Sequence, residues 1–258
     1  MPAPHVSPVG GPRMTTARRR EMGRAFETGG EHYEQVRPSY PAEAARWAVP
    51  NGARDAVDLG AGTGKFTGLL TELGLAVTAV EPSEDMLAQL HVALPGVTTV
   101  LGTGEASGLP TASADVATVA QAWHWFDPAA ASAEAARILR PGGRLVLLWN
   151  QLDTSVPWVH RLTRIMHAGD VIKPHYAPSI GPEFLPPEAA VLPWHDELTT
   201  LEVMELTKSR SYYLRSSEAV RAKVLANLDW YLHEHLGHAV GERLTLPYRC
   251  YAWRAVRA

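Results

Sequence analysis

The chain of 258 residues has a single cysteine, Cys250, which excludes an intramolecular disulfide and a cysteine-built zinc site. Nothing in it therefore demands an oxidising compartment. It also lacks any apolar run of membrane-spanning length. Its first twenty residues carry Pro2, Pro4, Pro8, Pro12 and Arg18-Arg19-Arg20 where a signal peptide needs an apolar stretch. Residues 1–22 read as a disordered leader, and the default expectation is a cytoplasmic protein with no membrane association. A basic excess is missing too. Against 27 Asp and Glu stand 24 Lys and Arg, a formal charge of −3, so no nucleic-acid partner is expected. No repeat or low-complexity block interrupts the chain.

What is present suits one α/β unit over residues 23–258, with 46% hydrophobic residues to fill a core. Strand and helix patterns alternate over residues 52–150, the mark of a parallel sheet covered on both faces. Strands are expected at Ala56–Leu59, Ala76–Val80, Val97–Leu101, Ala114–Ala120 and Arg144–Trp149. Helices are expected at Ala42–Val49, Lys65–Leu73, from a Ser83 cap to Leu94, and at Pro128–Leu139. Beyond Asn150 the rhythm changes. Trp158–Met166 has helical spacing, and five prolines between Pro174 and Pro187 then mark an irregular insertion over about 151–198. A strand at Thr199–Leu206, a helix at Ser216–Leu236 and a strand at Arg243–Val256 would follow, the two strands pairing at the sheet edge. The fold class is α/β: a Rossmann-like doubly wound sheet, mostly parallel with an antiparallel edge strand. An N-terminal helical cap and the insertion after strand 5 complete it.

The most informative segment is Val57-Asp58-Leu59-Gly60-Ala61-Gly62-Thr63-Gly64, which follows an apolar strand and opens a helix. Alternate glycines permit a sharp turn and leave room for a ligand where a β-carbon would stand. The helix start adds free N–H groups and a positive dipole end. Glu81 ends the next strand, 17 residues after Gly64, where a carboxylate in such a sheet accepts hydrogen bonds from a ribose diol. Dinucleotide sites space their glycines G-x-G-x-x-G, whereas here the spacing is G-x-G-x-G. Asp58, two residues before the turn, offers an acceptor for an ammonium group. The combination fits S-adenosylmethionine better than a nicotinamide dinucleotide.

On these residues the sequence resembles the class I methyltransferases, in particular the small-molecule branch that includes trans-aconitate methyltransferase-like and ubiquinone-biosynthesis-like enzymes. The resemblance runs from about Tyr33 to Ala258, with its specific motifs in residues 55–150. It implies a methyl donor, S-adenosylmethionine, leaving as S-adenosylhomocysteine, and a small-molecule acceptor whose oxygen is the expected target. It places Tyr33, Arg37, Asp58, Gly60, Ala61, Gly62, Glu81, Pro82, Met86, Thr103, Gly104, Glu105 and Gln121 around the donor. Thr103 departs from the family, which often has an aspartate there. Ala120-Gln121-Ala122-Trp123-His124-Trp125-Phe126 and Arg140-Pro141-Gly142-Gly143 match further family positions.

His124 is the candidate general base, following strand 4 where donor and acceptor should meet. Local hydrogen bonding and acceptor positioning are its other readings. Trp123, Trp125 and Phe126 either wall the pocket or fill the core. His233, His235 and His238 have a spacing that splits them between helix faces, so no metal is expected there. A nicotinamide-dependent oxidoreductase and a non-catalytic adenosylmethionine-binding protein stand as alternatives.

Overall fold

The computed structural model describes residues 37–167 and 176–258. The expected leader, Tyr33 and the Pro174–His175 part of the insertion lie outside the described residues.

Helix α1 (Ala42–Ala48) follows Pro41 and puts three alanines into the core. The β-α alternation then appears as expected. It comprises β1 (Asp55–Leu59), α2 (Lys65–Glu72), β2 (Ala76–Glu81), α3 (Glu84–Ala93), β3 (Thr98–Leu101), β4 (Ala114–Ala120), α4 (Pro128–Ile138) and β5 (Leu139–Leu152). Local chemistry sets the boundaries. Ser83 caps α3 by accepting from the Met86 N–H, and Asp127 caps α4 with Pro128 at its first position. After β5 come α5 (Pro157–Ile165), β6 (Glu188–Thr199), α6 (Thr200–Lys208), α7 (Ser211–Arg215) and α8 (Glu218–Asp229). A π-helical turn (Trp230–His235) and β7 (Arg243–Val256) end the series.

The seven strands lie in the order β3-β2-β1-β4-β5-β7-β6. β1 to β5 are mutually parallel, and β7 runs antiparallel to both β5 and β6. Leu145, Val146, Leu147 and Leu148 on β5 are all fully buried, because helices cover both faces. One face packs α4 with Trp123 and Phe126. The other packs α1 and α2, and beyond them α5, α6 and α8 around the far end of β5 and the start of β7.

One expectation is corrected. Thr199–Leu206 is not a strand: Thr199 ends β6, and the residues after it form α6. Thr199 and Glu202 make a reciprocal capping box, the carboxylate accepting from the Thr199 N–H at 2.7 Å and the hydroxyl accepting from the Glu202 N–H at 3.2 Å. The partner of β7 lies instead in Glu188–Thr199, within the stretch expected to be irregular. Its prolines mislead because β6 is an edge strand, where Pro193 is tolerated. The two strands do pair antiparallel, but α6, α7 and α8 connect them.

Candidate active site

The C-terminal ends of β1, β2 and β4 meet at one crevice, the place where open α/β sheets hold ligands. The glycine turn forms its floor. Gly60, Gly62 and Gly64 have φ of 69°, 58° and 93°, all in the left-handed region. The Gly60 and Ala61 N–H groups both bond to the Val80 carbonyl, which ties the turn to the end of β2. A β-carbon on Gly60 would stand 2.6 Å from that of Ala122, so this glycine is required by packing. Gly62 differs: nothing comes nearer to its missing β-carbon than the Met86 sulfur at 3.9 Å. Space is left open over Gly62.

Glu81 bridges this floor and the β2 end. One carboxylate oxygen accepts from the Gly62 N–H at 2.9 Å, the other from the Ser83 N–H at 3.2 Å. Burial raises its pKa, and these two amide bonds oppose the rise. Asp58, 1% exposed, accepts from the Thr67 hydroxyl at 2.7 Å and the Thr118 hydroxyl at 2.8 Å. Burial lifts its pKa to about 6 against those hydroxyls. Each carboxylate oxygen has more than one lone pair, so both acids retain capacity to accept from a ligand.

The third-strand loop forms one wall. Thr103 turns its hydroxyl into its own loop, accepting from the Ala106 N–H at 3.2 Å. Glu105 accepts from the Asp127 N–H at 2.9 Å and so anchors that loop to the start of α4. Gly104 lies directly beneath the Phe126 ring, which would collide with any β-carbon there, and the same ring reaches over Gly60. Phe126 thus spans the glycine turn and the third-strand loop. Pro82 is exposed at the rim, and Met86 is buried behind it.

Gln121 sits at φ 58° after β4 and donates its side-chain amide to the Asn150 carbonyl at 2.7 Å. Asn150 is a hub that sequence reasoning missed. Its amide donates to the Ser39 carbonyl and its side-chain oxygen accepts from the Trp194 indole, each at 2.8 Å. The signal available was a polar residue directly after the apolar run Leu145–Trp149 of β5. Arg37 donates to the Ser209 carbonyl at 3.0 Å, joining the segment before α1 to the end of α6. The structure therefore gathers Asp58, Gly60, Gly62, Glu81 and Met86 closely, with Thr103, Gly104 and Glu105 in the wall beside them.

His124 lies in a short 3-10 turn (Trp123–Trp125) after β4. More than a third of its surface reaches solvent, yet dense surrounding protein lowers its pKa to about 4. That direction keeps the ring neutral at pH 7. Trp123 is buried and donates its indole N–H to the Ser179 carbonyl at 3.1 Å, a core role. His233 bonds the His238 carbonyl, and His238 pairs with Glu242. Among the described residues no group of three His, Cys, Asp or Glu converges as a metal site. Nor is any helix among them long and apolar enough to cross a membrane.

This strand order, with a glycine elbow facing an acid at the next strand end, defines an α/β fold of the nucleotide-cofactor-binding class. A family described as a methyltransferase domain matches residues 57–147. An uncharacterized methyltransferase of Mycobacterium tuberculosis is 42% identical over 244 residues, covering 94% of this chain and 100% of its own. A methyltransferase-like protein of Schizosaccharomyces pombe is 31% identical over 217 residues, covering 80% of this chain and 85% of its own. A solved structure assigned as a type II methyltransferase from Anaeromyxobacter dehalogenans superposes with a TM-score of 0.66 at 26% identity, covering 85% and 97% of the two chains. The chain belongs to the class I S-adenosylmethionine-dependent methyltransferases.

Proposed function

We propose that this methyltransferase acts on a carboxylate oxygen of a small-molecule metabolite held beside the β4 end of the crevice. The observation that carries the reading is the setting of His124, whose ring packs beside that of Trp125 with no carboxylate among the described residues hydrogen-bonded to it, in surroundings that lower its pKa. So weak a base extracts little advantage from proton transfer near neutral pH. A carboxylate is already ionised and needs no base, whereas a hydroxyl would. In this reading His124 is neutral and positions the acceptor, with Trp125 alongside it at 4.5 Å between ring centroids.

The residues fit the methyl donor. Space over Gly62 admits a ligand to the backbone, Glu81 faces that space, and Asp58 lies buried behind the turn. When bound, S-adenosylmethionine supplies an electrophilic methyl group on a sulfonium. Asp58 would attract the ammonium of its aminoacyl tail, and Glu81 would accept from the ribose hydroxyls. Met86, Thr103 and Gly104 would border the adenine, with Pro82 and Glu105 shaping the rim. Ala61, Gln121 and Arg37 would enclose the aminoacyl end. These groups contribute chiefly by alignment, which can be worth roughly 7–11 kcal/mol for two well-held reactants.

The test is to incubate the protein with labelled donor and metabolite extract, then treat the labelled products with mild alkali. Carboxyl methyl esters release labelled methanol, whereas ethers and N-methyl products do not. Label retained through alkali would refute the carboxylate assignment.

A further inference from the structure

Away from the crevice, α5 and α8, with Tyr212 of α7, border an open pocket of about 700 Å³. Three cations line it, Arg161 and Arg164 from α5 and Lys223 from α8, beside the uncharged polar groups of Tyr212 and Asn227. Among the described residues no carboxylate lines it, although the chain as a whole carries more acids than bases. Ile165, Val220 and Val224 give it an apolar side. None of these residues is assigned above to the donor or the acceptor.

Several features set this charge apart from an ordinary solvated surface. Arg161 and Arg164 stand three apart on one helix, an arrangement of like charges that opposes helix formation. The dipole at the α5 C-terminus favours Arg164 in the last turn and aromatic rings engage Arg161, but neither accounts for Lys223 on the facing helix. Arg161 is moreover held in place, with its guanidinium 5.4 Å from the Trp230 ring centroid and 5.2 Å from that of Tyr231. At the rim, His167 takes the left-handed φ of 48° common just after a helix C-terminus, and its ring stacks on Tyr212 at 3.8 Å. Finally, Ser217 makes no side-chain cap to α8, whose first turn contributes Val220 to the wall. Like charges from two helices, a fixed guanidinium and a stacked aromatic lip around one concavity suit a compensating anion.

We propose that the cavity between α5 and α8 binds a phosphate-bearing small molecule, its oxyanion held by Arg161, Arg164 and Lys223 and its apolar part against the Ile165 and Val224 side. Phosphate fits better than a single carboxylate because two planar guanidinium forks and an ammonium match several oxygens at once.

Calorimetric titration of the full chain with pyrophosphate, at constant ionic strength maintained with sodium chloride, tests this. Saturable one-to-one binding is expected, with inorganic phosphate binding more weakly at the same site. The double substitution Arg164→Glu and Lys223→Glu should lower pyrophosphate affinity about tenfold or more, with the far-ultraviolet circular dichroism unchanged. Should that variant fail to fold, Lys223→Gln alone should weaken binding about threefold, since it removes one charge-assisted contact. The proposal is overturned by absence of saturation up to about 10 mM pyrophosphate, the range of millimolar affinity, or by unchanged affinity in the folded variants. Binding to phosphatidylserine vesicles without any response to pyrophosphate would overturn it as well, by making the patch a membrane surface.

Discussion

The Glu81 carboxylate accepts the Gly62 N–H at 2.9 Å, so the acid at the end of β2 is itself a strut of the glycine turn. One side chain thereby sets the turn's shape and presents acceptor oxygens to the space above it. Glu81→Ala is expected to weaken S-adenosylhomocysteine binding by about 1–3 kcal/mol, since amide and ribose donors both lose their acceptor. Calorimetric titration with S-adenosylhomocysteine measures this, and an undiminished affinity in a folded variant would put the ribose elsewhere.

Asp58 makes stability depend on pH in an unusual direction. Its pKa in the folded chain is about 6, above the ordinary 3.8, so the folded state holds the proton more tightly than the unfolded state. The stabilising contribution is therefore full below the ordinary value. It falls as pH rises toward 6 and is gone above that. At about 1.4 kcal/mol per pH unit the whole effect is on the order of 3 kcal/mol. Asp58→Asn should remove this slope. Urea unfolding near pH 4 and again near pH 7.5 should show the variant gaining on the parent at the higher pH.

If His124 positions the acceptor and does not take its proton, the rate should not titrate with an imidazole. We expect kcat/KM on a carboxylate acceptor to be level between about pH 6 and pH 8, and His124→Asn to retain activity within about tenfold. A loss on the order of a hundredfold, with a basic limb abolished in the variant, would reinstate it as the base.

Gly60→Ala meets two obstacles together, a backbone at φ 69° and the Ala122 β-carbon at 2.6 Å. The strain and overpacking should cost about 1–3 kcal/mol, measured by urea denaturation. Gly62→Ala, with open space over it, should cost less stability while weakening donor binding.

The corrected boundary at residue 199 can be tested directly. Thr199→Ala removes one half of the capping box and should destabilise the chain by about 1 kcal/mol. A residue in the middle of an exposed strand would show almost no change.

The parts of the fold that could be read in the sequence are those whose cause is local. Ser83 before α3, the glycine elbow after β1, and the alternation through Arg243–Val256 each bring their determinant within a few residues. Along the last, alternate residues from Leu244 to Ala252 are buried, the period that a strand prescribes. What could not be read depends on partners distant in the chain. β6 looks irregular until β7 lies beside it, since its side chains stay half exposed on an edge. Asn150 joins Ser39, Gln121 and Trp194, three residues that no spacing rule connects. The same holds for the candidate site. Glu81 and the glycines were legible, whereas the Thr67 and Thr118 hydroxyls on Asp58 and the Phe126 ring over Gly104 were not.

The reversed β7 has a consequence for the order of assembly. It pairs through nine residues with β5 on one side and through twelve with β6 on the other. β6 has no other neighbour in the sheet, and its end at Thr199 precedes Arg243 by 44 residues. During synthesis the ribosome therefore exposes β6 as an orphan ribbon, with Leu192 and Trp194 bare, until three helices and another strand have emerged. That interval of waiting is when the nascent protein is most vulnerable to mispairing and to capture by chaperones.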